Sequence, residues 1–168
     1  MKKTTSRIYR VLAMLMLAAI PGLARAYDAQ IGDLFYNLNS EDKTAEVTYE
    51  NWYTPYSQTS IDIPASVEYD GVTYSVTMIG DKAFSSCSGL TSVAIPNSVK
   101  SIGNNAFRET ALTSTSIPAS VTEIGEYAFH KCGSLASVEM LSAPVAIGKL
   151  AFSDCPALQI VAFDECID

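Results

Sequence analysis

Histidine occurs once in the 168 residues, at His130, and tryptophan once, at Trp52. A hydrolytic centre that uses a His base therefore has one position to build on. The signatures of phosphate loops, zinc proteases and thiol redox pairs are missing: there is no G-x-x-x-x-G-K, no H-E-x-x-H and no C-x-x-C. Positive charge is scarce, with 11 Lys+Arg against 18 Asp+Glu. Five of the basic residues (Lys2, Lys3, Arg7, Arg10, Arg25) lie in the first 26 positions, which leaves 6 basic against 18 acidic, or −12, in the remainder. That balance repels phosphate backbones and argues against a nucleic-acid partner. It also gives little attraction to anionic lipid. Beyond the N-terminus no apolar run is long enough to cross a bilayer.

What is present begins with a leader pattern. A basic opening precedes the apolar run "VLAMLMLAAI", Val11 to Ile20. Pro21 and Gly22 break the run, and Ala24-Arg25-Ala26 places small residues where a signal peptidase reads. The alternative, an N-terminal membrane anchor, is disfavoured because the run is short. The expectation is a signal peptide over 1–26 and an exported chain from Tyr27. No membrane span is expected after cleavage.

The rest of the chain repeats. Gly80, Gly103, Gly125 and Gly148 each follow an Ile and precede an Ala-Phe pair at fixed offset, at intervals of 22 or 23 residues. Cys87, Thr110, Cys132 and Cys155 stand three residues after each Phe. Leu90, Leu112, Leu135 and Leu158 come next, followed by the column Val93, Thr115, Val138, Val161. Ile95, Ile117, Met140 and Phe163 close the unit. A period of this length with L-x-x-φ-x-φ inside it is the pattern of a leucine-rich solenoid.

The phrase "L-x-x-V-x-I-P-x-S-V-x-x-I-G-x-x-A-F-x-x-C" resembles the BspA-like leucine-rich repeat family. The resemblance is close from Ile79 to Phe163 and looser back to about Ile31. The fold it implies is a β-rich solenoid. About four coils of short parallel strands and short helical turns are expected, preceded by a β-hairpin N-terminal cap. The expected division is cap 27–78 and repeats 79–168, in one continuous domain.

Each repeated letter has a physical reading. In "LTSVAI" the residues Leu90, Val93 and Ile95 point inward and those between them outward, which makes a short strand. Pro96 and Pro118 lack an N–H and end their strands. Ser66, Ser98 and Ser120 fall in one column suited to turn backbone groups. Gly at each corner is expected to take positive φ. "NNAF" and "EYAF" are expected to open a short helical turn, with the four Phe stacked as a spine. Repeat two is one residue shorter than the others and carries polar Thr115 in its strand.

The N-terminal part does not repeat. "DLFYNL" and "TAEVTYE" flank the polar "NSEDK", which reads as a hairpin. Asp70-Gly71 signals a second hairpin, inserted within the first repeat. The aromatics of this part either cover the open end of the core or, around "NWYTPY", form an exposed patch of Trp52, Tyr53 and Tyr56. At the other end the chain stops at "VAFDECID" just after a strand. Edge dimerisation, a short acidic cap, or a chain that continues beyond residue 168 would each answer that.

Chemistry finds little purchase. His130 has Cys132 close in sequence and Asp154 on the next coil. But Cys132 belongs to the buried column, and Ser85, Arg108 and Ser153 replace His130 elsewhere. No catalytic residues, metal site or cofactor are expected, and the chain reads as a non-enzyme. The Cys column reads as unpaired buried thiols. A Cys132–Cys155 disulfide is also permitted, since adjacent coils stand roughly 5 Å apart.

The outward strand positions Ser92, Ala94, Ser114, Ser116, Ser137, Glu139, Ile160 and Ala162 are small and largely polar. They form the candidate binding surface. The family resemblance implies an exported or surface-located bacterial protein, some of whose relatives are adhesins. The expected function is protein binding or adhesion, in an extracellular, cell-surface or periplasmic location. The expected partner is a protein or a cell-surface glycan. The alternative is an assembly protein that associates with its own kind through an open C-terminal edge.

Overall fold

The computed structural model describes residues 27–51, 55–141 and 146–163, with backbone alone at 160, 162 and 163. The leader expected over 1–26 lies outside them. The chain opens with β1 (Ala29–Ile31), β2 (Leu34–Asn39) and β3 (Thr44–Thr48), an antiparallel meander. The expected hairpin around "NSEDK" is its second turn. β4 (Ser60–Asp62) follows, then β5 (Ser66–Tyr69) and β6 (Val72–Ile79). β5 and β6 pair antiparallel about Asp70 and Gly71, whose φ angles are 50° and 75°. Two positive φ values in a row match the right-handed twist of a tight hairpin, which is why Asp-Gly closes it.

From there each coil contributes two short strands. These are β7 (Ser92–Ala94) and β8 (Ser101–Ile102), β9 (Ser114–Ile117) and β10 (Glu123–Ile124), β11 (Ser137–Met140) and β12 (Ala146–Ile147), and then β13 (Ile160–Phe163). β8, β10 and β12 extend from β6 in parallel, so the meander and the repeats share one eight-stranded back sheet. β3 also pairs parallel with β6. The front carries β4–β7 and β9–β11–β13, both parallel. Pro118 directly follows β9, as a residue without an N–H should.

The core lies between front and back. Leu90, Leu112 and Leu135 are fully buried, as are Ile79, Ile102 and Ile124. Phe84, Phe107, Phe129 and Phe152 stack with ring centroids 5.1–5.2 Å apart and planes within 14° of parallel. Tyr56, Phe35 and Tyr27 continue the column toward the N-terminus. Coil spacing sets the ring spacing, so each buried Phe adds about 0.5–1.5 kcal/mol of ring contact to its burial.

Two expectations about the turns are corrected. No helix occurs among the described residues. Instead each "AF" segment is a chain of tight turns: the amides of Ala83, Ser85 and Cys87 bond back to Gly80, Lys82 and Phe84 carbonyls. The intervening amides of Lys82, Phe84 and Ser86 bond to the carbonyls of Asn104, Ala106 and Arg108 on the next coil. Half the donors are thus committed between coils, and an i→i−4 ladder has none to use. Left-handed φ at Lys82, Ser86, Asn105, Glu109, Tyr127 and Lys131 makes this alternation.

The repeat glycines are the second correction. Among the described residues only Gly32 and Gly71 are glycines with positive φ. Gly103 and Gly125 are required by close approach. A Cβ on Gly125 would sit 2.6 Å from the Asn104 nitrogen, and one on Gly103 would sit 2.7 Å from the Asp81 nitrogen. Hydrogen bonds from Gly103 N to Ile79 O and from Gly125 N to Ile102 O, each 2.7 Å, draw the coils together there.

Candidate functional site

The front strands place their outward side chains in two rows. Pairing sets Ser60 against Ser92 and Asp62 against Ala94. It sets Ser114 against Ser137 and Ser116 against Glu139. Ser92, Ala94, Ser114, Ser116 and Glu139 are exposed and Ser137 is half-buried. Ile160 lies opposite Ser137 on β13, and its side chain is outside the described residues. The sequence reading missed Ser60 and Asp62, both exposed. The signal was there: "IDIPASV" matches "VAIPNSV" in its pattern, and Ser66 already falls in the Ser98 and Ser120 column.

The front is not one unbroken ladder. β7 and β9 share no paired residues and belong to separate sheets. Their starts still touch, through Thr113 N to Thr91 O at 3.2 Å. β9 belongs to the shortened repeat. Behind it Thr115 is 6% exposed, and its hydroxyl has no hydrogen-bond partner.

The expected aromatic patch is corrected at Tyr56. Its ring packs on Phe84 at 5.2 Å. Its hydroxyl donates to Thr48 O at 2.6 Å and accepts from Phe35 N at 3.0 Å. Burial pushes its phenol well above the usual tyrosine range. Tyr56 is therefore a core residue that ties the meander to the Phe column. Trp52 and Tyr53 lie outside the described residues.

The Cys132–Cys155 disulfide is likewise corrected. Cys87, Cys132 and Cys155 are free thiols. Cys132 Sγ donates to Phe107 O at 3.1 Å and Cys155 Sγ to Phe129 O at 3.0 Å, one coil back in each case. A bond between the two sulfurs would give up both contacts. Thr110 fills the same column and donates to Phe107 O at 3.0 Å. Burial pushes the Cys87 thiol up to about 11 and raises Cys132 and Cys155 as well. Thiols held protonated in this way are poor nucleophiles.

On the turn side His130 Nδ1 lies 2.7 Å from Ser153 Oγ, and Nε2 lies 3.8 Å from Asp154 Oδ2. The order of residues resembles a triad, but the protons run the wrong way. Ser153 Oγ donates to Leu150 O at 2.9 Å, so it accepts from the imidazole and is not activated by it. Nearby, Glu109 pairs with Arg108 and Lys131 at 3.1 and 3.8 Å. The His130 contacts and the Lys131–Glu109 pair join neighbouring coils, while Arg108–Glu109 lies within one. Among the described residues no helix is long and apolar enough to cross a membrane.

Comparison with known proteins places this architecture. A family model described as a BspA type leucine rich repeat region matches six copies over residues 46–168. The chain is similar to a leucine-rich repeat protein from Bacteroides capillosus, at 31% identity and a TM-score of 0.69, over 81% of this chain and 97% of that one. It is also similar to the leucine-rich repeat protein of T. pallidum, at 26% identity and a TM-score of 0.61, over 80% of this chain and 70% of that one. The pneumococcal vaccine antigen PcpA shares the fold, at 17% identity and a TM-score of 0.53, over 82% of this chain and 50% of that one. No curated protein matches the chain. The match begins within β3 and covers well over half of the chain, and on that ground the chain belongs to the BspA-type leucine-rich repeat family.

Proposed function

We propose that this chain is an exported, non-enzymatic binding module that offers its front sheet to a protein or cell-surface glycan. The observation that carries the reading is the front face itself. Ser92, Ala94, Ser114, Ser116 and Glu139 stand exposed on strands held from behind by a fully packed core. Such a face is rigid before it meets a partner, so little ordering entropy opposes association. Its small side chains let a partner approach the backbone closely. The leader expected over 1–26 supports export.

The test uses immobilised extracellular-matrix proteins and bacterial surface glycans, with binding read by biolayer interferometry. Ser114→Trp should abolish whatever interaction is found, while Lys149→Ala on the turn side should leave it intact. Retention of binding by Ser114→Trp would sink the front-face reading.

A second reading rests on the last described coil. Ile147, Leu150 and Val161 are 46%, 46% and 43% exposed there, although their counterparts one coil earlier are more covered. Self-association through that edge would cover them. Sedimentation equilibrium over a wide concentration range checks this, and a monomer throughout would remove it.

A further inference from the structure

The front face is asymmetric in charge. The segments 59–62, 91–94, 113–116, 136–139 and 159–162 hold two carboxylates, Asp62 and Glu139, and no Lys or Arg. Both carboxylates are exposed. Neither has a hydrogen-bond or ion-pair partner among the described residues, unlike Glu109 on the turn side. They occupy one row: Asp62 is opposite Ala94, and Ser116 is opposite Glu139. Three coil spacings separate them: β4–β7 and β9–β11 are paired, β7 and β9 are joined only at their starts, and coil stacking at roughly 4.8 Å makes the span about 14 Å.

Resting on the front-face reading, we propose that the partner is an extended polypeptide segment that crosses the front strands and carries basic residues at positions i and i+4. The geometry selects this ligand. An extended chain rises about 3.3 Å per residue, so i and i+4 lie about 13 Å apart. Side chains alternate, so i, i+2 and i+4 all face the sheet. The two cations reach Asp62 and Glu139 together, and the residue between them lies over Ala94 and Ser116, where a small side chain fits. A segment whose basic residues are adjacent reaches one carboxylate at a time. With no cation on the face, an acidic segment meets only repulsion.

The experiment is selection of a random linear-peptide library displayed on phage against the purified protein, followed by affinity measurement on the enriched peptides. The expected result is enrichment of Lys or Arg at i and i+4. Affinity should fall roughly tenfold in the protein with Asp62→Asn and Glu139→Gln together, as two exposed ion pairs allow. The loss should be mimicked by raising salt. Peptides without that spacing, blocked by Ser114→Trp but indifferent to the charge removal, would overturn the inference and leave the front-face reading standing. Peptides indifferent to both changes would overturn the two together. Failure to enrich any peptide counts against the inference, because the face as described is fully formed without a partner.

Discussion

Ile124 and Ile147 hold the same place one coil apart, yet Ile124 is 1% exposed and Ile147 46%. Val138 and Val161 repeat the contrast at 0% and 43%. Both members of each pair hold the same letter of the repeat pattern. What differs is the neighbour. A repeat buries its hydrophobic face against the next coil, so the same letter is core in the middle of the stack and exposed at the last described coil.

The Phe column offers the hardest test of that contrast. Phe107 has Phe84 on one side and Phe129 on the other, whereas Phe152 is half-buried and stacks on Phe129 alone among the described rings. Phe107→Ala should cost about 3–5 kcal/mol, the range for a buried Phe. Phe152→Ala should cost about 1–2 kcal/mol, in line with its smaller buried area. Urea unfolding of both variants measures the difference. Equal losses would mean that Phe152 is covered as well as Phe107, and the comparison would fail.

Glycines sharpen it from the backbone side. Gly125→Ala pushes a methyl against the Asn104 nitrogen and should cost about 1–3 kcal/mol, as overpacking does. Gly133 has nothing within 4 Å of an added Cβ and does not have positive φ. Gly133→Ala should therefore be near neutral or slightly stabilising. Thermal melts of the two variants decide it, and similar melting temperatures would mean that the coils separate easily at the corner.

These residues also show what could be read in advance. The Phe stack, the Ile and Leu columns and both hairpins were legible because they follow from periodicity and turn chemistry. Gly125 was legible as a necessity but not as to cause: the sequence repeats a Gly whether φ or a neighbouring backbone demands it. The helical turn was misread because Ala-Phe favours helix locally, while the competing hydrogen bonds come from residues 22 positions away, such as Asn104 O accepting from Lys82 N. Tyr56 stayed open between core cover and exposed patch because a loop's composition does not reveal which side chain turns inward. Asp62 was missed although Ser66 stands in the Ser98 and Ser120 column, because the I-G-x-x-A-F letters that mark the later units first occur after the hairpin.

The last predicted effect is a gain in stability. Thr115 stands in a column otherwise made of Ile61, Val93, Val138 and Val161, at 6% exposure and with its hydroxyl unpartnered. A buried hydroxyl without a partner costs about 1–3 kcal/mol relative to water, and valine has nearly the same shape. Thr115→Val should therefore raise stability by about 1 kcal/mol, a rare direction for a core substitution. The counterpart Val138→Thr, in a complete coil, should lower stability by a similar amount. Chemical denaturation of both variants tests the pair. A destabilised Thr115→Val would mean that the hydroxyl is needed where β7 and β9 part. In that case the break in the front sheet is held open by a polar group rather than left by the missing residue.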